Sequence, residues 1–308
     1  MSLSKQKLGN ALNEFRATAV IDWLDVKIHT VSRTQHQHVR AVLREITGIY
    51  SWWAGAIDIQ PGDVTNTFRI RFHDELANNY QKLNTTLDAL ARRFHFASEP
   101  TIAGIEISCD FWHKQQSVGA TRALTYRLQT SLLAPGLNQR QYNSYTKANQ
   151  FLNKPGDRIN PVFNLRIGNE NEPVSWHCYH KRTDKKQPLP LGQQRARVEV
   201  TLQGDALQRY GLGILSAIQH FQFETLASLF TFRRAIPAAE MAKGDLFRLT
   251  SINWIRTYMD ATTGRGTHAF SSVGQRDKKG RIRKESSHLT ADKELSNRVR
   301  EALRNLHP

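Results

Sequence analysis

The first third of the chain combines four strand patterns with two helical patterns. Residues 34–48 and 75–96 repeat apolar side chains at three- and four-residue intervals, which predicts amphipathic helices. Strand patterns, mostly alternating apolar and polar positions, cover 19–29, 54–59, 66–74 and 101–113. The resulting order is β-α-β-β-α-β. It predicts an α+β chain that begins with a ferredoxin-like antiparallel sheet carrying two helices on one face.

Beyond residue 120 the pattern is mostly that of strands. Candidate strands cover 122–133, 162–168, 174–181 and 195–203. They predict a second sheet, whose similar build leaves open a degenerate duplication of the first. From 205 to about 260 helical spacing dominates, and a further helix is predicted near the end of the chain. We therefore expect three parts: 1–120, 121–232, and a helical, basic region over 233–308.

The charge balance indicates the kind of partner. The 308 residues include 43 Lys and Arg against 27 Asp and Glu, a net charge of +16. Such a field attracts polyanions, and nucleic acid is the usual partner. Residues 233–308 contain 16 basic and 8 acidic residues, which predicts a DNA anchor there. The side chains predicted to contact nucleic acid are Arg182, Lys185, Lys186, Arg195, Arg197, Arg276, Lys278, Lys279, Arg281, Arg283 and Lys284.

Several classes of protein are disfavoured by the sequence. No segment approaches the ~20 apolar residues needed to cross a bilayer, and residues 1–10 contain no apolar signal core. We therefore expect no membrane partner and a cytoplasmic location. Cys109 and Cys178 are far apart and belong to no ligand-spaced pair, which predicts neither zinc nor a disulfide framework. A Walker A motif is absent, so ATPase activity is not expected.

Carboxylates on the predicted strands could bind a divalent cation. Glu106 and Asp110 are four positions apart on one strand and therefore share a face. Glu199 lies on another strand and points away from the core side. Three such oxygen donors would suit Mg²⁺ or Mn²⁺. A simple salt bridge to Arg195 or Arg197 would explain Glu199 equally well.

Aromatic side chains provide the second set of candidates. Tyr179 lies on a strand between His177 and Lys181, two positions from each, so that the three share a face. Tyrosine can form covalent intermediates; the histidine could act as base and the lysine could stabilise an anion. Ordinary cross-strand packing is the alternative for this tyrosine. We assign Trp52 and Trp53 to the core, with base stacking as the lesser alternative.

Four segments in order resemble one family. They are IDWLDVKI, IEISCDFW, NLRIGNENEPVSWHCYHKRTD and RARVEVTL, within residues 19–205. This set resembles the replication initiation factors of rolling-circle plasmids and filamentous phages. The positions that match the family's pattern are Glu106, Asp110, Gly168, Tyr179, Lys181, Arg197 and Glu199. The chain departs from that pattern at His180, where the family usually has an acid, and in the turn after the glycine.

The resemblance implies a nicking and closing activity at a replication origin in bacteria. Tyr179 would attack a phosphodiester in single-stranded or cruciform DNA, leaving a 5′-phosphotyrosyl link and a free 3′-OH. Glu106, Asp110 and Glu199 would hold Mg²⁺ or Mn²⁺. A host helicase and a dimer are compatible with the resemblance. Because the phosphotyrosine conserves bond energy, reclosure would need no nucleotide cofactor.

Two other functions remain open from the sequence. One is a non-catalytic, sequence-specific DNA-binding factor of the same fold, which would bind DNA without cutting it. The other is a ferredoxin-like RNA endonuclease in which His177 does acid–base work without a metal. Dependence on metal and the choice between DNA and RNA distinguish these three functions.

Overall fold

A 20-residue strand near the start of the chain organises the molecule. The computed structural model describes residues 11–50, 52–132, 142–145, 164–168, 171–184, 186–235 and 289–308. The strands are β1 (Phe15–Thr34), β2 (Trp53–Ile57), β3 (Thr65–His73), β4 (Thr101–His113), β5 (Tyr142–Tyr145), β6 (Asn164–Ile167), β7 (Val174–Lys181), β8 (Thr183–Asp184), β9 (Gln187–Pro188), β10 (Arg195–Gln203), β11 (Arg233–Ala235) and β12 (Leu289–Ala291). The α-helices are α1 (His36–Thr47), α2 (Asp74–Ala77), α3 (Tyr80–Phe94), α4 (Val118–Ser131), α5 (Asp205–Arg209) and α6 (Lys293–Arg304). Short 3₁₀ helices cover Ala11–Glu14, Leu191–Gln193, Leu215–His220 and Phe223–Leu229.

Within the described residues, eight strands form one sheet in the order β2-β3-β1-β4-β10-β7-β6-β5. Every neighbouring pair in it is antiparallel. The prediction of an α+β chain with an antiparallel sheet is confirmed. The prediction of a separate second sheet was wrong, because β10 pairs with β4 and continues the first sheet. This pairing satisfies the free backbone groups that β4 would otherwise expose at an edge.

One face of the sheet forms the core beneath the helices. Its inward residues come from alternate positions of each strand, as on β10, where Ala196, Val198, Val200 and Leu202 are all buried. Helices α1 and α3 pack on the β1 side, while α4 lies under β4, β10 and β7. The division of the chain at residues 120 and 232 stays a prediction.

The segment after β4 is a helix, although 122–133 was predicted as a strand. In α4, Thr121, Leu124, Thr125 and Leu128 are buried at intervals of three and four residues. Ser117 caps the helix by accepting a hydrogen bond from the backbone of Ala120 at 3.2 Å. The cap and the burial pattern both favour the helix over a strand.

The region after β10 contains less helix than its spacing suggested. Over 205–235 the structure has the short α5 and two 3₁₀ helices. Near the chain end the predicted helix is present as α6, which buries Leu295, Val299 and Leu303 against the 3₁₀ helix Phe223–Leu229 and the β1 strand. None of the helices that the structure describes is both long and apolar enough to cross a membrane.

Candidate functional site

The face of the sheet opposite the helices is polar, and strand register determines which side chains meet there. Arg197 and Glu199 of β10 lie opposite Asp110 and Ser108 of β4. On its other side Glu199 lies opposite His177 of β7. Polar side chains of β1, β3, β4, β7 and β10 border a cleft of about 530 Å³ on this open face. The site therefore depends on strands from distant parts of the sequence.

Three carboxylates meet in this cleft, and we call them the acid group: Asp22, Glu106 and Glu199. One oxygen atom from each lies within 4.8 Å of the other two. Glu199 is buried, whereas Asp22 and Glu106 are partly exposed. Glu106 and Glu199 are two of the predicted metal ligands, but Asp22 was missed by the sequence analysis.

Asp22 reaches the acid group because β1 contains a bulge. Ile21 and Trp23 pair with consecutive residues of β4, so Asp22 is the extra residue between them. The spacing of two apolar residues in the sequence is a signal for this bulge. Ile21 and Leu24 are both fully buried although they are three positions apart, whereas inward residues of a regular strand are spaced by even numbers.

The negative charges of the acid group are only partly balanced. Burial, followed by the charges of Glu199 and Asp22, raises the pKa of Glu106 to about 8, even though the Thr201 hydroxyl donates to it at 2.8 Å. Burial would also raise the pKa of Glu199, but the hydrogen bond and charge of His177 lower it to about 2. At pH 7 Glu106 therefore holds a proton. A divalent cation could replace that proton, so these oxygen donors fit Mg²⁺ or Mn²⁺.

Tyr179 is hydrogen-bonded to the acid group. Its Oη donates to Oε1 of Glu199 at 2.8 Å, and Nδ1 of His177 lies 3.0 Å from Oε2 of the same carboxylate. The rings of His177 and Tyr179 stack with their centroids 4.2 Å apart. Burial and the charge of Glu199 raise the pKa of Tyr179 above its usual value. The structure thus brings together the predicted nucleophile, the predicted base and a predicted metal ligand.

Asp110, the remaining predicted metal ligand, makes a different set of contacts. Its carboxylate accepts two hydrogen bonds from Arg197, at 2.5 and 2.6 Å, and Nε of Arg195 lies 2.9 Å from it. Arg197 also donates to Asp22 at 2.7 Å and to Glu199 at 3.2 Å. Burial alone would lower the pKa of Arg197, but the hydrogen bond and charge of Asp110 raise it overall. Asp110 therefore holds Arg197 beside the acid group instead of joining it.

The cations predicted to contact DNA occupy different environments. Arg197 is 1% exposed and binds carboxylates, so its guanidinium is not offered to a phosphate. Lys181, predicted instead to stabilise an anion beside Tyr179, forms an ion pair of 3.2 Å with Asp184. Arg182 and Lys186 are exposed. Outside the described residues lie Lys185, Arg276, Lys278, Lys279, Arg281, Arg283 and Lys284.

Comparisons with known proteins give little beyond this geometry. No protein-family model matches the chain. No curated protein matches it either. Among solved structures, the chain is similar to a rolling circle replication initiator protein from Geobacillus stearothermophilus, with 12% sequence identity and a TM-score of 0.38. That similarity covers 72% of this chain and 89% of the other. Such a distant similarity does not establish a shared site.

Proposed function

We propose that this protein nicks and recloses DNA by means of Tyr179 and a divalent cation. The observation that carries the proposal is the 2.8 Å hydrogen bond from the Tyr179 phenol to Glu199. Glu199 belongs to three carboxylates whose oxygens lie within 4.8 Å of one another. A nucleophile beside an oxygen-rich cation site is the arrangement that phosphodiester transfer requires. The net charge of +16 agrees with a polyanionic substrate.

The reaction would be a transesterification in which bond types are conserved. Oη of Tyr179 forms a bond to phosphorus, and the bond from phosphorus to O3′ breaks. The products are a 5′-phosphotyrosyl link and a free 3′-OH, which can prime synthesis and later reverse the step. A Mg²⁺ or Mn²⁺ ion held by Asp22, Glu106 and Glu199 would polarise the phosphate and favour the phenolate. No nucleotide cofactor is required.

The side chains of the cleft would take up the proton of the Tyr179 phenol and stabilise the negative charge on the phosphate. Glu199 orients the phenol and accepts its hydrogen bond, and His177 contacts the second oxygen of the same carboxylate at 3.0 Å. Since the pKa of Glu199 is about 2, the proton would not remain there. Imidazole is the usual proton carrier near neutral pH, so His177, whose ring stacks on that of Tyr179, is the base in this proposal when its ring is neutral. Lys181 would provide a nearby cation for the pentacoordinate phosphate.

The biological setting follows from the same proposal. The order β2-β3-β1-β4 with α1 and α3 on one face supports a ferredoxin-like unit for the first part of the chain. The substrate would be a rolling-circle origin of a plasmid or phage in the bacterial cytoplasm, exposed as single-stranded or cruciform DNA. The basic region 233–308 would hold flanking DNA, and a host helicase would extend the opened strand.

The experiment uses a supercoiled plasmid that carries the DNA flanking the chain's own gene. Wild type, Tyr179→Phe and the control Tyr80→Phe are incubated with Mg²⁺, Mn²⁺ or EDTA. A denaturing protein gel then detects a covalent protein–DNA adduct. We expect a metal-dependent adduct with wild type and the control, and none with Tyr179→Phe.

The other outcomes lead either to another nucleophile or to another function. An adduct that persists in Tyr179→Phe would move the nucleophile to another tyrosine. Tight binding with no nick under any metal would indicate a DNA-binding factor. Cleavage of RNA in EDTA, lost in His177→Ala, would indicate a metal-independent RNA endonuclease.

A further inference from the structure

A tryptophan on the edge strand is exposed beside the cleft, although the sequence assigned it to the core. Trp53 of β2 is 47% exposed, whereas its neighbour Trp52 packs edge-on against Phe72 with ring centroids 5.4 Å apart. An indole ring offers a large flat apolar surface, and about half of that of Trp53 is open to a ligand. The strand alternation places Trp53 on the open polar face.

Trp53 lies against two arginines that also border the cleft. The guanidinium carbon of Arg71 is 3.9 Å from the ring centroid of Trp23 and 5.4 Å from that of Trp53. The guanidinium of Arg69 is 5.7 Å from the ring centroid of Trp53. Trp23, Arg69 and Arg71 all line the cleft that contains the acid group. We call Trp23, Trp53, Arg69 and Arg71 the tryptophan–arginine stack.

The stack is fixed from below by a buried carboxylate. Asp25 is fully buried and accepts hydrogen bonds from both arginines, including two from Arg71 at 2.6 and 2.7 Å. Gly104 lies directly opposite Asp25 on β4. A Cβ at Gly104 would lie 3.0 Å from the Trp23 ring, so the glycine makes room for this ring. The aromatic surface is therefore preorganised.

The charge of the stack favours an anionic ligand. Two guanidinium groups share one carboxylate, which leaves a net positive charge next to an exposed aromatic ring. Base faces stack on aromatic side chains, while arginines track the phosphates of a single strand. Base-paired DNA offers no such faces along its length, because its bases are already stacked on each other. These properties point to unpaired nucleotides.

We propose that Trp53 stacks an unpaired base of a single DNA strand that runs through the cleft, with Arg69 and Arg71 near its phosphates. Trp53 lies three strands from β4, a distance of about 14 Å at ~4.8 Å per strand. The stacked base would thus be outside the reacting nucleotide and would fix its register. DNA as the ligand rests on the proposed function, but the stacking does not require that any bond is cut.

The test measures binding in EDTA, so that metal-dependent cleavage does not enter. The full chain is titrated into a fluorescein-labelled 12-nucleotide single strand, and anisotropy gives the dissociation constant. Wild type is compared with Trp53→Ala, Trp53→Phe and the control Tyr50→Ala, an aromatic that is 85% exposed and does not line the cleft. A second strand containing 2-aminopurine reports base stacking by quenching.

We expect Trp53→Ala to weaken binding about 10- to 100-fold, the range of base–aromatic stacking, and Trp53→Phe to restore most of it. The slope of affinity against salt should stay the same, because stacking releases no counterions. Tyr50→Ala should bind as wild type does. Unchanged affinity and quenching in Trp53→Ala would overturn the proposal. The proposal would also be overturned if Trp53→Ala changed only the self-association of the protein, because Trp53 would then be a contact between two copies of the chain.

Discussion

The acid group predicts an unusual dependence of stability on pH, centred on Glu106. Its pKa is raised from the usual 4.5 to about 8 in the folded chain, so it binds a proton that the unfolded chain has lost. Between these pH values the folded state holds more protons, and stability must fall as the pH rises. The stability that the folded chain gains by keeping Glu106 protonated is fully present below about pH 4.5 and lost above about pH 8.

The size of this effect follows from the pKa difference. One pKa unit corresponds to ~1.4 kcal/mol, so the whole difference corresponds to at most about 5 kcal/mol. Glu106 borders an open cleft, where solvent screens part of the repulsion, and we therefore expect about 2–4 kcal/mol. Glutamine has the shape of the protonated acid and keeps an acceptor for the Thr201 hydroxyl. Glu106→Gln should remove the pH-dependent loss.

Urea unfolding followed by tryptophan fluorescence at pH 5 and pH 9 measures this difference. Glu106→Gln should match wild type at pH 5 and exceed it by about 2–4 kcal/mol at pH 9. The control is Glu45→Gln, an acid on α1 whose side chain is 69% exposed, which should change stability equally at both values. If Glu106→Gln gains nothing at pH 9, the carboxylates are already neutralised by Arg197 and the reasoning is refuted.

Three further predictions concern the neighbouring side chains. Asp22→Asn should weaken Mn²⁺ binding at least about tenfold in isothermal titration calorimetry while urea unfolding without metal changes little; unchanged affinity would remove it from the site. Arg197→Met should cost about 3–5 kcal/mol in urea unfolding because it removes both hydrogen bonds from Arg197 to buried Asp110 and leaves that carboxylate with Arg195 alone, against about 1 kcal/mol for Arg195→Met, which keeps both; equal losses would contradict this. Gly104→Ala should lower the free energy of unfolding by about 1–3 kcal/mol, because its new Cβ lies 3.0 Å from the Trp23 ring. The control is Gly55→Ala on β2, whose new Cβ makes ordinary contacts of 3.5 Å. Thermal unfolding of the two variants compares these effects.

The sequence determines which face each strand residue occupies. Alternation placed Glu106, Glu199 and Tyr179 on the polar side, and the structure has them on one open face. This works because the two-residue period of a strand is local and needs no knowledge of its neighbours. The α+β class followed from the same local periods.

The sequence could not show which strands are neighbours. Ser108 and Glu199 are hydrogen-bonded at 3.2 Å although 91 residues separate them, and no local pattern encodes that pairing. Without it, Asp110 looked like a metal ligand and Arg197 like a phosphate contact, yet these two pair with each other. Trp53 was predicted to lie in the core because its side chain is largely apolar. Its position on the open face depends on where β2 joins the sheet.

The register of the central strands has a consequence for biosynthesis. Residues 23–71 already contain all four side chains of the tryptophan–arginine stack, whereas Glu199 comes from β10, the last strand to join the eight-stranded sheet. A growing chain on the ribosome therefore contains the four residues of its stacking surface long before it contains its third carboxylate. Under the proposed function, a prematurely terminated product that ends before β10 would keep Tyr179 but lack Glu199, the carboxylate that orients it. Under that proposal, only a chain whose translation has passed β10 would have the complete acid group beside Tyr179.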